Sequence, residues 1–420
     1  MSEPPIIHVK RSNRDGAAQS ASMGEVLSSF QSLRASMLGL FQATGVDPTR
    51  TRELARELGV NRGLAWRLSR MARSQDGTDV AHDVPGRQSL EKFARVCQDR
   101  GASEEVVNDA LEAIEEFERA VGACSGGRKT LAMLLANRGE NTAATDRERA
   151  RRSLFEGACS VWGVQAQLRF VTVFLFPSRR DPAYLDAAHV TGYLGFRRLS
   201  SRPWPMSYEA VHDSEGHAQE IRKEPLDPKQ LVRGEPQLLP AFCDPPNPKI
   251  DVRTEHDYRA FDLAAGPVGN EGLTTCVFGS YLHQIYENGF EQPETAGFMV
   301  LLQTPVERVL FDLFVHEDIR TEGPVVTHLL DRLTYPHDNR ESAFDRQSMS
   351  ISETARSLPR GRDAAATATI PFYPQLLSFI ADRVGIPTEK FAGSRFEMTY
   401  PPISTTLSRR IALTPRSKTD

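Results

Sequence analysis

The chain has 420 residues, 40% hydrophobic and 25% charged, enough for two or three globular domains that each bury a core. A formal net charge of -4 excludes a uniformly basic coat, so any grip on nucleic acid must come from a local patch. The five cysteines, Cys97, Cys124, Cys159, Cys243 and Cys276, are too far apart in sequence for zinc-ribbon or Cys-x-x-Cys pairs, which fits a reducing cytoplasm.

Residues 1–20 are polar and lack the apolar core of a signal peptide, so a loose tail is expected there. The most apolar strand candidate, 170–176, falls far short of the roughly 20 residues a helix needs to cross a bilayer, so no membrane partner is expected. From 26 to 155, apolar residues recur three or four apart between short breaks holding Gly, Pro, Asp or Asn. That spacing predicts an all-α N-terminal domain over 21–158.

Inside it, residues 52–71 read RELARELGVNRGLAWRLSRM. Leu54 and Leu58 suit the core side of a first helix, with small Ala55 where a second helix would cross it. Gly59 supplies the left-handed turn, Val60 fills the core behind it, and Asn61 caps a second helix whose buried face is Leu64, Ala65 and Leu68. This arrangement resembles the helix-turn-helix of bacterial transcription regulators over about residues 50–73. The resemblance implies that the second helix enters the major groove of double-stranded DNA with Asn61, Arg62, Gly63, Trp66, Arg67 and Arg70 facing outward. Arg62 and Arg67 are the expected base or phosphate contacts, because a guanidinium fork fits both guanine and phosphate oxygens. Arg50, Arg52, Arg56, Arg70 and Arg73 are the expected phosphate clamps. Seven arginines against Glu53 and Glu57 give this segment a net charge of +5 in an acidic protein. Trp66 is large for a reading position, and packing on the neighbouring helix expected over 89–98 would shift the reading surface.

Further along, 104–121 predicts a helix capped by Ser103, with Val107, Leu111, Ile114, Phe117 and Val121 on one face and a strongly acidic opposite face. The acids read as a solvated surface that points away from any duplex. Thr145 and Glu148 form a capping-box pattern that predicts a helix start at Thr145. Beyond Trp162 the chain becomes β-rich, with strands expected over 167–176, 190–199, 298–303, 309–316, 396–400 and 405–413. A helix is expected over 371–384, closed by Gly385. Residues 200–270 are rich in Pro, Asp and Glu and predict long irregular loops, and 338–369 forms a second soft stretch. The class is α+β, with an all-α N-terminal domain carrying the helix-turn-helix and a β-rich α+β domain over 159–420.

Other signals are weaker. GACSGGRKT at 122–130 approaches a phosphate-binding loop, but Arg128 intrudes between Gly127 and Lys129, and the segment follows a helix; a helix-ending Gly pair is the expected role. The histidines of the second half, including His212 and His217 in an acidic loop and His316 beside Glu317 and Asp318, match no metal-ligand spacing, and no cofactor or metal is expected. No catalytic motif is present, so no catalytic residue is assigned; a polar pocket lined by His283, His316 or Asp312 would favour an enzyme. The leading expectation is a DNA-binding transcriptional regulator in the cytoplasm. It would act as a homodimer, with the second domain sensing a small-molecule or protein effector, oligomerising, or both. The alternative is a scaffold or assembly protein whose helix-turn-helix binds another protein.

Overall fold

In the computed structural model the described residues are 23–74, 84–125, 127–128, 130–131, 142–210, 222–230, 237–254, 258–287, 294–331 and 348–414. The expected tail at 1–20, the histidines His212, His217, His256 and His337, and the soft residues 338–347 lie outside them. The chain is mixed α+β and divides into two compact units, Met1–Arg147 and Glu148–Asp420.

The first unit is helical: α1 (Met23–Thr44), α2 (Thr51–Glu57), α3 (Arg62–Arg73), α4 (Arg87–Asp99) and α5 (Glu104–Ser125). Its core gathers one stripe from each helix, including Phe30, Met37 and Phe41 of α1, Leu54 of α2, Leu68 and Met71 of α3, Phe93 of α4 and Phe117 of α5. The 3.6-residue period dictates this assembly, since each stripe is buried only by the others. α5 begins at the expected position, where Ser103 Oγ accepts from Val106 N at 3.5 Å.

α6 (Thr142–Trp162) crosses the division between the units. It starts before Thr145, so the Thr145–Glu148 pair does not open the helix. Glu148 instead accepts a hydrogen bond from Thr399 Oγ1 at 3.0 Å. Farther on, Arg151 pairs with Glu353 at 2.5 Å and the Phe155 ring lies 5.4 Å from that of Tyr400. These contacts tie residues 148–158 to the second unit, ahead of the 158/159 boundary that composition suggested.

Among its described residues the second unit holds fourteen strands in three sheets: β1 (Val164–Pro177), β2 (Tyr184–Arg198), β3 (Trp204–Ala210), β4 (Arg222–Pro225), β5 (Ile250–Thr254), β6 (Tyr258–Leu263), β7 (Thr274–Glu287), β8 (Glu294–Leu302), β9 (Val306–His316), β10 (Thr321–Asp331), β11 (Ser348–Met349), β12 (Arg356–Leu358), β13 (Phe391–Thr399) and β14 (Thr405–Leu413). The seven-stranded sheet runs β12-β13-β9-β1-β2-β7-β4, the four-stranded sheet β11-β10-β14-β8, and the three-stranded sheet β3-β6-β5. β1 pairs β9 in parallel and β2 antiparallel.

Side chains alternate across β1. Phe170, Phe174 and Phe176 join a core with α7 (Tyr373–Val384), while Val171, Val173 and Leu175 join a second core with Phe298, Val300 and Leu407 of the four-stranded sheet. The large sheet is thus covered on both faces. From Val309 onward β9 is buried throughout, because both its neighbours and both its faces are occupied. Residues 200–270 were expected to be irregular, yet they contribute β3, β4, β5 and β6. These strands are short, β5 is largely exposed, and Pro205 sits on an edge strand where its missing N–H costs little, so composition hides them. α7 ends as expected, with Gly385 in the left-handed region at φ 64°. Among the described residues no helix is long and apolar enough to cross a membrane.

Candidate nucleic-acid interface

α2 and α3 are joined by residues 58–61. Gly59 adopts φ 64°, a conformation that costs a residue with a Cβ roughly 1–2 kcal/mol. No atom lies within 4 Å of where a Cβ would sit, so Gly59→Ala is expected to lower stability by about 1 kcal/mol through backbone strain alone, measurable by urea unfolding. Asn61 then turns the chain into α3: its Oδ1 accepts from Leu64 N at 2.8 Å. Asn61 was expected both to cap and to face DNA; the cap uses its carbonyl oxygen and leaves the amide nitrogen as the outward donor.

α3 divides cleanly into two faces. Leu64, Ala65, Leu68, Ser69, Met71 and Ala72 are buried. Arg62, Gly63, Trp66 and Arg73 are exposed, and Arg67 and Arg70 are half-buried. Ala55 and Val60 pack against the same core from α2 and the connection. At the C-terminal end, Arg34 Nε donates to Ala72 O at 3.2 Å, a carbonyl that the helix leaves unpaired, and Arg73 Nε donates to Ser69 O at 3.2 Å, one turn back.

Trp66 is 45% exposed, and the Arg70 guanidinium carbon sits 5.1 Å from its ring centroid. The ring therefore stays at the surface rather than packing into α4. Arg67 Nε makes a long contact of 3.4 Å to Gly63 O, which leaves its terminal nitrogens outward. Arg50 is paired with Asp47 at 3.5 Å and Glu53 at 3.3 Å, and Arg56 with Glu57 at 3.5 Å. Hydrogen bonds from Thr49 hold the Asp47 carboxyl below its ordinary value. Exposed pairs of this kind contribute at most about 1 kcal/mol, so Arg50 and Arg56 can exchange them for phosphate cheaply. Arg52 and Arg62 make no hydrogen bond or ion pair with the described residues, and Arg62 stands in the first turn of α3, at the positive end of its dipole.

The remaining sequence signals take structural places. Arg128 donates to Val84 O at 2.7 Å, Pro85 O at 2.8 Å and the Glu118 carboxylate, so the residue that spoils the phosphate-loop pattern clamps the chain before α4 onto α5. The exposed acids of α5 line its outer face as expected. Burial pushes the Cys97 thiol up to about 12 and that of Cys159 up to about 11, so neither is a nucleophile at neutral pH. Cys243 and Cys276, distant in sequence, are brought into contact by the Asp244–Thr275 bridge. Only the strand pairing makes them neighbours, a relation that spacing along the chain does not encode.

Asp312 is fully buried and held by Arg395 and Tyr373. His283 lies between Glu224 at 3.3 Å and Asp186 at 3.7 Å. His316 borders an open cavity of about 450 Å³ and its Nδ1 accepts from Asp318 N at 3.2 Å. Among the described residues no group of three His, Cys, Asp or Glu side chains is arranged to hold a metal ion. No protein-family model matches the chain, and no curated protein matches it.

Proposed function

We propose that α2, residues 58–61 and α3 form a helix-turn-helix and that the chain is a DNA-binding transcriptional regulator, with α3 in the major groove of double-stranded DNA. The observation that carries this reading is the division of α3: one face buried in the unit's core, the other presenting Arg62, Arg67, Arg70 and Arg73 with no acid in its first turn. Arg62 and Arg67 contact bases or phosphates, the Asn61 amide reaches a base edge or phosphate, and Arg50, Arg52, Arg56, Arg70 and Arg73 fasten the backbone. A homodimer reads two half-sites and multiplies specificity, and the second unit senses an effector or forms the dimer. The proposed place of action is the cytoplasm.

Trp66 favours one competing reading. An exposed tryptophan with an arginine over its ring is the kind of anchor found at protein interfaces, and would suit a scaffold that uses α3 to hold another protein. Salt separates the two. If Arg50, Arg52, Arg56, Arg70 and Arg73 each neutralise one phosphate, the affinity of the full chain for duplex DNA falls with a log–log salt slope of about -4.5 per protomer. Fluorescence anisotropy of a labelled duplex over a salt series measures it. A slope near zero, or no binding at low salt, would refute the DNA reading and leave the scaffold.

A further inference from the structure

Four arginines are buried among the described residues of the second unit: Arg169, Arg198, Arg395 and Arg409. Three have partners. Arg395 is bidentate on Asp312 at 2.7 and 2.8 Å. Arg198 donates to the carbonyls of Leu263 and Ala264. Arg409 donates to Phe311 O at 2.7 Å and to Ser394 O at 2.6 Å. Arg169 is the exception. It is 7% exposed, its Nε and Nη1 are buried without a hydrogen-bond partner, and no carboxylate pairs with it among the described residues. A buried, unpaired guanidinium is among the most expensive arrangements a fold can hold.

The surroundings of Arg169 show what would satisfy it. The side chain leaves β1 on the face toward the four-stranded sheet and enters a cavity of about 130 Å³, bounded by the large sheet, by β3 and by β8 with the residue that follows it. This is far beyond the roughly 10–15 Å³ that admits one water. Its guanidinium carbon lies 4.4 Å from the Tyr193 ring centroid, so the ring supports one flat side and leaves the edge donors free. Tyr193 is itself fixed, because Thr304 Oγ1 donates to its hydroxyl at 3.1 Å and Trp204 Nε1 donates to Thr304 at 2.9 Å. His189, Ser207 and Gln303 line the cavity with groups able to donate. Thr191 and Tyr208 also border it, although the Thr191 hydroxyl already donates to Phe170 O at 3.2 Å, and no Asp or Glu is among the residues lining the cavity. Burial, reinforced by Lys223 and Arg169, lowers the His189 pKa to about 3, so this ring is neutral and adds a donor without adding charge.

We propose that this cavity binds a small oxyanion, a phosphate or carboxylate group, seated against the edge of the Arg169 guanidinium. The site gives the second unit a ligand chemistry that suits an effector, and it stands independently of what α3 binds. A bidentate oxyanion would supply the acceptors that Nε and the terminal nitrogens lack, and Tyr193 would hold the guanidinium plane for it. Met299 and Leu301 border the same space, so a ligand with a few carbons behind its carboxylate would also find apolar contact.

The test is thermal unfolding of the full chain in sodium phosphate, sodium acetate and sodium succinate, each against sodium chloride at equal ionic strength. At least one oxyanion is expected to raise Tm saturably, by on the order of 5 °C at a hundredfold excess over Kd. The response by phosphate or by carboxylate identifies the group. Arg169→Met should abolish this shift while unfolding no earlier than wild type in chloride, since it removes an unpaired charge. Arg169→Lys, which keeps the charge but loses the fork, should need about tenfold more anion. Gln303→Leu, at the border of the cavity, gives a second reading that leaves Arg169 in place, and should also weaken the response. No saturable shift in wild type with any of the three anions would overturn the proposal. So would an equal shift in Arg169→Met, which would place the anion on another basic surface such as α3. No DNA enters the experiment, so its failure and that of the helix-turn-helix reading are separate results.

Discussion

The full chain carrying Arg62→Ala and Arg67→Ala is expected to fold as wild type and to lose DNA selectivity. Neither side chain belongs to the core of the first unit: Arg62 is exposed and makes no hydrogen bond or ion pair with the described residues, and Arg67 makes only a long contact within α3. Exposed substitutions of this kind usually change stability by no more than about 0.5 kcal/mol. Their effect on binding is larger. A bidentate arginine contact to guanine discriminates by about 1–3 kcal/mol, so losing two costs roughly 30-fold to 2×10⁴-fold in the preference for specific over random duplex. If either side chain meets phosphate instead, the salt slope shrinks by about 0.9 for each contact removed. Anisotropy titrations of wild type and variant at two salt concentrations separate these cases. Unchanged affinity, selectivity and slope would remove both residues from the interface.

The second large effect concerns stability. Asp312 on β9, Arg395 on β13 and Tyr373 on α7 lie at the centre of the second unit, with Arg395 Nε and Nη2 on the carboxylate at 2.8 and 2.7 Å and the Tyr373 hydroxyl donating to it at 2.5 Å. Thr172 meets the same hydroxyl at 3.0 Å, and Arg395 also donates to Ala365 O at 2.7 Å. The cluster therefore fastens β1, β9, β13, α7 and the segment before α7 together. Burial works against the Arg395 charge, but the Asp312 carboxylate more than offsets this and raises its pKa. Arg395→Met leaves a buried carboxylate with one strong donor and is expected to cost about 3–5 kcal/mol. Against a total of about 5–15 kcal/mol for a typical domain, that is a large fraction. Replacing both charges, Asp312→Leu with Arg395→Met, should recover much of the loss, because neither desolvated ion then remains. Urea unfolding of both variants checks this. A single variant within about 1 kcal/mol of wild type would mean that the pair does not hold the sheet together.

The elements most legible in the sequence are those whose local chemistry agrees with their tertiary place. β14 is read at its observed bounds, 405–413, and α7 from its proline, its apolar stripe and Gly385. Gly59 and Asn61 take up the conformations that the sequence of the α2–α3 connection asks for. β7 was missed because its strand character is not local. It carries Gly279 at a point where a Cβ would meet Leu239 Cδ1 at 2.7 Å, and its polar residues are accommodated by β2 and β4 on either side. The capping-box pattern at Thr145 failed because α6 extends before it and Glu148 finds Thr399, a partner 251 residues away. The outward arginines of α3 could be named from helical periodicity, since exposure on a surface helix follows from the spacing of its apolar residues. Arg169 could not: inside a strand buried on both faces, nothing nearby in sequence distinguishes an arginine paired across the sheet from one that faces a cavity.

The most direct measurement for the central claim is selection from the genome. The full chain and its Arg62→Ala, Arg67→Ala form would be incubated with sheared genomic DNA across a salt series, and the retained fragments sequenced. The account predicts that wild type alone enriches defined sites, with paired half-sites about 10–10.5 base pairs apart if it binds as a dimer, and that retention falls steeply with salt. Equal, weak and nonselective retention by both forms would contradict it.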